Sequence, residues 1–481
     1  MASERVVVSN SGLSCHHGIG LLTCLSLVTA TMVGTGVYTT LGFQLQDLRN
    51  GFPILCLWVA GGLISLCGAL SYAELAARIP RSGGEYTYLS EIYHPALGFM
   101  AAFVSLIAGF AAPIALSAMA FGSYLHAALP ECGAQYSSLT AVILISLLHL
   151  RSLDVSSFVQ VGATVLKFLL VGLFIAIGFW SISKHTEHLD MIFPHRESFT
   201  EILHPSTGVA LIFVLYAYSG WNAVAYLAGE VREGRRIVGL SLVLGTIVVM
   251  IFYVDLNAIF LTSAPATDLR GILNVGSVAA THLIGPSGGR IMSAIIAFGL
   301  LASISAMIWA GPRVTQRVGE DYPALSWLSQ RTETGIPQRA IFLQLLLVLG
   351  LIVGGSFETV LLFAQTPLLL CLIMGVAGIL VLRWKEGRFP SPHTDVCRIP
   401  QSVQTPSTLS LMNSSESVPT NTTWLSFTCP LFPLPPLIFI LCSGAALAYS
   451  AVSKPWIALA GIAVMLLPLF FHRWFTLNKK P

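Results

Sequence analysis

The sequence is short of charge. Asp, Glu, Lys and Arg together make up 10% of its 481 residues, whereas a soluble domain carries about 25% charged residues. Hydrophobic residues make up 55% of the chain, and the mean hydropathy is +0.78. This shortage excludes an ordinary soluble protein and indicates a chain that is solvated by lipid.

Other absences exclude further classes. The nine cysteines contain no CxxC pair, which removes the common metal and redox motifs. No basic stripe with interleaved aromatic residues is present, so a nucleic-acid partner is not expected. The chain has no HExxH or GxSxG motif and no paired His/Asp set at membrane depth, so a membrane enzyme is set aside and no cofactor or metal is expected.

Long apolar runs fill most of the chain. A spanning helix needs about 20 mostly apolar residues, and about twelve candidates satisfy that length requirement. They cover residues 18–46, 53–77, 95–126, 137–150, 156–183, 206–229, 237–262, 287–311, 337–355, 358–383, 431–450 and 455–472. The sequence therefore predicts an all-α, multi-pass integral membrane protein.

The distribution of Lys and Arg predicts the orientation. With the N-terminus inside, these residues outnumber those in outside loops by about three to one. We therefore expect a cell-membrane protein with both termini in the cytoplasm. Residues 386–430 are rich in Ser, Thr and Pro and are predicted to form a flexible cytoplasmic loop. Residues 431–481 supply the last two helices and a short cytoplasmic tail.

Two of the predicted spans contain helix-breaking residues at corresponding positions. The first span contains Gly34 and Gly36 within Thr31–Tyr38, and the sixth contains Gly220 within Leu215–Asn222. Each break falls in the first helix of a group of five, spans one to five and six to ten. Paired interruptions in two halves of a chain are a pointer to a transporter binding site.

Unwound backbone in a bilayer leaves N–H and C=O groups that a ligand, ion or water must satisfy. The half-helix after Gly36 presents free N–H groups and a positive dipole end, which suit a carboxylate. The half-helix before Tyr218 presents carbonyls, which suit an ammonium. Both ends together would recognise the common core of an α-amino acid. The alternative is that these glycines only allow close helix packing.

Four segments of the chain resemble the amino acid–polyamine–organocation permeases. The sequence GTGVY, residues Gly34 to Tyr38, looks like the family signature in the first helix. The segment Ser71–Phe99, SYAELAARIPRSGGEYTYLSEIYHPALGF, looks like the long signature after the second helix. Ala217–Glu233 resembles the sixth helix, and Ala310–Asp321 resembles the end of the eighth. The resemblance extends over nearly the whole chain apart from the segment 386–430.

The resemblance implies a LeuT-like fold, with two inverted five-helix repeats, discontinuous helices one and six, and two extra helices. Residues 1–385 would then form the transport core. The substrate site implied by the family lies at the two breaks. Its residues would be Val33, Gly34, Thr35, Gly36 and Val37 around the carboxylate, and Tyr216, Ala217, Tyr218, Ser219 and Gly220 around the amine. Tyr216 occupies the aromatic gate position, whereas Tyr218 could equally be a packing residue.

Lys167 lies near the middle of the fifth span, where an ionisable residue indicates a functional role. It resembles the lysine that proton-coupled family members place where sodium-coupled relatives bind Na⁺. Either it loads and releases protons because desolvation lowers its pKa, or it is a permanent ammonium in place of a structural cation. Both alternatives argue against sodium coupling. Ser303 and Ser305 could face the same site, although their hydroxyls could instead bond their own helix.

Glu74 and Glu85 flank the loop after the second predicted span. We expect them to pair with Arg78 or Arg81, either in a solvated cytoplasmic role or as a gate.

The sequence thus predicts a secondary active transporter of amino acids. Neutral substrates are expected, with sodium-independent transport that is either proton-coupled or an exchange. A polyamine or organocation carrier is an alternative, but it would need carboxylates at mid-depth in helices three, six and eight. A non-transporting amino-acid sensor on the same fold is another. Cys132 lies in the loop that links heteromeric members to a glycoprotein heavy chain, but one cysteine is weak evidence and no heavy chain is expected.

Overall fold

The structure, a computed structural model, describes residues 20–81, 83–150, 165, 168–169, 171–180, 189–202, 204, 206–231, 234–332, 336–388 and 427–477. Its secondary structure is helical. The α-helices, numbered in chain order, are α1 Leu21–Met32, α2 Gly36–Asp47, α3 Gly51–Arg78, α4 Glu85–Ile92, α5 Pro95–Val104, α6 Ala112–Ala128, α7 Ala134–His149, α8 Val171–Trp180, α9 Arg196–Ile202, α10 Ser206–Ala217, α11 Gly234–Ser263, α12 Ala266–Leu269, α13 Val275–Asp321, α14 Gln338–Gly354, α15 Phe357–Arg388, α16 Leu434–Ser453 and α17 Pro455–Leu477.

Eight helical stretches in the described residues are long and apolar enough to cross a membrane. Four shorter apolar helices, α7, α8, α10 and α14, accompany them. The prediction of an all-helical, multi-pass membrane fold is confirmed. Of the predicted fifth span, 156–183, the structure describes only α8 and three isolated residues, so most of that span lies outside the described residues.

Two non-standard segments shape the long helices. A π-helix, Ser105–Ala111, joins α5 to α6, so these three elements form one long span. Short π segments are frequent at functional positions in helices. Helix α13 has non-helical backbone at Ile284 and Gly285, where Gly285 has φ of +82° and Pro286 follows. Because Pro lacks an N–H and crowds the preceding turn, the helix changes direction there.

The two broken helices lie inside the bundle. Helix α11 packs against both α1 and α3, and α10 packs against α2, α3 and α16. Helix α6 packs along α13 and α7. This arrangement brings the gap between α1 and α2 next to the end of α10, with α11 alongside, and a continuous apolar core surrounds both breaks.

The first three residues of the predicted loop 386–430 belong to a helix. Helix α15 continues to Arg388, and residues 389–426 lie outside the described residues. The chain is described again from Phe427, seven residues before α16 begins at Leu434. That returning segment packs on the ends of α3 and α15, through contacts described below.

Candidate functional site at two broken helices

The first break separates α1, which ends at Met32, from α2, which begins at Gly36. The N–H of Gly34 turns back to the carbonyl of Met32 at 2.7 Å, which closes a tight turn instead of a helical one. Because the first residues of a helix have no acceptor inside it, the N–H groups at the start of α2 face the break. A carboxylate is the natural partner for such a helix end.

The second break follows Ala217, the last residue of α10. Gly220 has φ of +99°, a left-handed conformation that glycine adopts without steric cost. The chain then continues as a 3₁₀-helix, Ala223–Glu230. Carbonyls at the end of α10 therefore lack the partners that a continuing α-helix would supply.

Glycines bring the two breaks into direct contact. A Cβ on Gly36 would lie 2.5 Å from the Cα of Ala217, and a Cβ on Gly220 would lie 3.1 Å from the backbone of Thr31. The Thr31 hydroxyl also donates to the Gly220 carbonyl at 3.2 Å. Close packing, the alternative raised by the sequence, therefore applies to Gly36 and Gly220. It does not apply to Gly34, whose Cβ would meet only the Met32 carbonyl oxygen, at 3.8 Å.

Thr35 and Tyr216 join the breaks through their side chains. The Thr35 hydroxyl lies 3.0 Å from the Tyr216 hydroxyl, and both residues are buried. This hydrogen bond places a pair of neutral polar groups between the start of α2 and the end of α10.

Tyr253 of α11 connects the same two breaks and was not predicted from the sequence. Its hydroxyl lies 2.6 Å from the Met32 carbonyl and 3.1 Å from the Ala217 carbonyl, and it donates to both. Its ring packs edge-on against Trp58 and beside Tyr218. A tyrosine in an apolar helix is common, so only tertiary packing identifies this residue as part of the site.

The remaining predicted residues border the same region. Val33 and Val37 are buried on either side of the turn, and Ser219 donates its N–H to the Tyr216 carbonyl at 3.0 Å. The Tyr218 hydroxyl donates to the Trp58 carbonyl at 2.9 Å, so it contacts α3 and not the first break. Since a carbonyl oxygen has two lone pairs, the carbonyls of Tyr216 and Ala217 can still accept from a ligand.

The predicted coupling residues are only partly described. Lys167 lies outside the described residues. The Ser303 hydroxyl donates to the Gly299 carbonyl of its own helix at 3.3 Å, as the second alternative expected. The Ser305 hydroxyl instead lies 3.0 Å from Nε2 of His149 in α7. A role for these residues in coupling stays a prediction.

Two glutamates that the sequence places near Arg78 and Arg81 are both buried. Glu74 pairs with Arg78 as expected, but it is also bound by Arg383 and by the backbone N–H of Cys429. The prediction that Glu85 pairs with one of these arginines is wrong. Glu85 is 2% exposed and bonds to neutral side chains, because the turn at Gly83 and Gly84 directs it into the protein.

The fold and site define a class: a multi-pass membrane protein in which two interrupted helices meet at a buried polar site. Comparison with known proteins specifies the family. Residues 19–468 match the amino acid permease family, and the chain belongs to it. The expectation of a transporter, and not of an enzyme, is thereby confirmed.

Three relatives show the range of the similarity. The serine/threonine exchanger SteT of Bacillus subtilis (strain 168) is 30% identical over 63% of this chain and 68% of its own length. The b(0,+)-type amino acid transporter 1 of Homo sapiens is 25% identical over 89% of this chain and 88% of its own length. The cystine/glutamate transporter of Homo sapiens is 26% identical over 76% of this chain and 74% of its own length. The chain is similar to amino acid transporters and exchangers.

Proposed function

We propose that this protein exchanges neutral amino acids across the cell membrane by alternating access, independently of sodium. The observation that carries the proposal is the meeting of two broken helices at Thr35, Tyr216 and Tyr253. The start of α2 offers N–H groups for a carboxylate, and the end of α10 offers carbonyls for an ammonium. A zwitterion satisfies both sets at once.

A LeuT-like arrangement of twelve spans accounts for the position of the breaks. In this arrangement helices one to five and six to ten form inverted repeats, residues 1–385 form the transport core, and residues 431–481 add two helices. Support comes from the breaks after Met32 and Ala217, which fall in the first helix of each repeat. The bias of Lys and Arg toward one set of loops supports an orientation with both termini in the cytoplasm.

Neutral substrates fit the side chains that connect the breaks. Thr31, Thr35, Tyr216 and Tyr253, which hydrogen-bond across the breaks, are all uncharged hydroxyl residues. A basic or acidic substrate would need a partner of opposite charge at this depth, because an unpaired charge in a low-dielectric site is costly. Exchange is favoured by the similarity to a serine/threonine exchanger.

Sodium independence rests on the resemblance of Lys167 to the lysine that proton-coupled family members have where sodium-coupled relatives bind Na⁺. The test is uptake of labelled serine, alanine, leucine, lysine and glutamate into proteoliposomes loaded with an unlabelled neutral amino acid. We expect neutral substrates to enter with choline in place of sodium and without a pH gradient. Uptake that requires sodium, or that is confined to lysine or glutamate, would refute the proposal.

The protein is also proposed to act without a disulfide-linked heavy chain. Cys132 is half-buried, and its carbonyl lies 2.9 Å from Nδ1 of His126 in α6. Transport by the purified chain alone, with one size on reducing and non-reducing gels, is the expected result. A covalent partner released by reductant would contradict it.

A further inference from the structure

Glu85 is a buried carboxylate, and its hydrogen-bond partners among the described residues are all neutral. Its Oε1 accepts from the Tyr72 hydroxyl at 2.9 Å and from Nδ2 of Asn222 at 2.6 Å. Its Oε2 accepts from the Tyr226 hydroxyl. The nearby Arg81 binds Glu91 instead. We call Tyr72, Glu85, Asn222 and Tyr226 the Glu85 cluster.

The Glu85 cluster joins three separate segments of the molecule through hydrogen bonds. Tyr72 lies on α3, Glu85 is the first residue of α4, and Asn222 and Tyr226 belong to the segment after the second helix break. The Glu85 carboxylate thus accepts hydrogen bonds both from α3 and from the segment after the second helix break.

Backbone contacts strengthen the same junction. The N–H of Gly83 donates to the Tyr226 carbonyl at 3.2 Å. Gly84 has φ of +54°, and a Cβ there would lie 2.6 Å from the Tyr226 ring. Only glycine allows this loop both to turn and to approach Tyr226 so closely.

The chemistry of Glu85 makes the junction sensitive to separation. A buried charge is costly unless it is fully hydrogen-bonded, and hydrogen bonds to an ionised acceptor are about twice as strong as neutral ones. Two of the donors, Asn222 and Tyr226, leave if the far half of the broken helix moves away. The cluster therefore stabilises the closed arrangement and opposes opening.

We propose that Glu85 is the positioning residue of a latch that holds the segment after Gly220 against α3 and α4, and so keeps the substrate site closed on that side of the membrane. The latch deepens the proposed function, because it rests on alternating access at the two breaks. It acts through the position of the broken helix and does not touch the substrate.

Tyr88 supplies a matched control. It lies on the same helix as Glu85 and is fully buried, and its ring packs edge-on against Tyr72. Its hydroxyl has no hydrogen-bond partner among the described residues. Tyr88→Phe therefore deletes the same atom as Tyr226→Phe, in the same neighbourhood, without removing a bond to Glu85.

The first measurement is backbone hydrogen–deuterium exchange by mass spectrometry on the purified full chain, for peptides covering residues 222–231. Local opening sets this exchange rate. Glu85→Gln and Tyr226→Phe should each raise it about tenfold, since a charge-assisted hydrogen bond is lost. Tyr88→Phe should match the parent. Parental exchange in both Glu85→Gln and Tyr226→Phe would overturn the latch. If Glu85→Gln does not fold, Tyr226→Phe decides alone.

The second measurement separates positioning from general damage. Exchange transport is assayed in right-side-out and inside-out vesicles. Weakening the latch shifts the population toward the state open at the Arg78 end of α3, so KM should fall for substrate presented at that end and rise for substrate at the other, by about threefold or more. Equal KM changes on both sides, or a loss of maximal rate alone, would overturn the proposal. Absence of transport in the parent would refute the proposed function, while hydrogen exchange would still decide whether the latch exists.

Discussion

The Tyr253 hydroxyl donates to the Met32 carbonyl at 2.6 Å, from a residue 221 positions away in the chain. It also reaches the Ala217 carbonyl at 3.1 Å. One side chain of α11 therefore hydrogen-bonds to a backbone carbonyl from each of the two broken helices. The relative position of the two helix ends depends on it.

Tyr253→Phe removes this hydroxyl and keeps the ring that packs against Trp58. We expect the free energy of unfolding to fall by about 1 kcal/mol, because the Met32 carbonyl retains a second donor, the Gly34 N–H. The KM for a neutral amino acid should rise about tenfold, because the two helix ends lose their common hydrogen-bond donor. A tenfold change corresponds to a loss of about 1.4 kcal/mol of binding free energy. Thermal unfolding and uptake kinetics measure the two effects, and Tyr88→Phe is the control. An unchanged KM would show that Tyr253 does not position the site.

Gly36→Ala and Gly34→Ala differ by two positions and should differ greatly in outcome. A Cβ on Gly36 would lie 2.5 Å from the Ala217 backbone, whereas a Cβ on Gly34 has no atom nearer than 3.8 Å. We expect Gly36→Ala to give less folded protein on size-exclusion chromatography. The new methyl group would clash with backbone atoms, which cannot move aside as the end of a flexible side chain can. Gly34→Ala should elute like the parent. Equal yields would show that the helices are not in contact at Gly36.

Glu74→Gln tests the charged cluster at the end of α3. Glu74 is fully buried and bound by Arg78, by Arg383 and by the Cys429 N–H. Removing one partner of a buried pair leaves an uncompensated charge, and we expect about 3 kcal/mol of destabilisation because both arginines keep some exposure to water. Glu91→Gln breaks the exposed pair with Arg81 and should cost about 1 kcal/mol or less. Equal shifts in melting temperature would contradict this account.

Cys429 should react slowly with maleimide. Burial and the neighbouring Glu74 carboxylate raise the pKa of its thiol to about 11, and the thiolate is the reactive form. Alkylation of the Cys429 peptide, followed by mass spectrometry, should therefore stay low at neutral pH and increase as the pH approaches 11. Glu74→Gln should increase the rate at neutral pH. Fast alkylation of the parent at pH 7 would mean that the segment around Cys429 does not pack against Glu74.

The sequence predicts the parts of the site that are encoded locally. Glycine patterns mark both helix breaks, and the structure ends α1 at Met32 and α10 at Ala217, within a few residues of those glycines. Thr35 and Tyr216 lie on the predicted segments, although their mutual hydrogen bond depends on how the helices pack. Substrate binding by these residues stays a prediction.

Features that depend on tertiary packing could not be predicted. Tyr253 lies in an apolar helix where a tyrosine carries no signal of its own. Its proximity in sequence to Arg78 and Arg81 predicts an ion pair for Glu85, but the positive φ angles of Gly83 and Gly84 turn its side chain inward. The π-helix Ser105–Ala111 contains Gly109 and is followed by Pro113, but neither residue distinguishes a π-helix from an α-helix in the sequence. The partners of Tyr253 and Glu85 come from distant parts of the chain, which sequence patterns do not reveal.

Equilibrium binding of a labelled neutral L-amino acid to the purified protein, without sodium, tests the central claim most directly. The competitors are the unlabelled amino acid, its carboxamide and the hydroxy acid that lacks the amine. A site between the start of α2 and the end of α10 needs both charged ends, so the amide and the hydroxy acid should compete at least about tenfold more weakly. Competition by either analogue at the potency of the amino acid would contradict a site that binds both ends of a zwitterion.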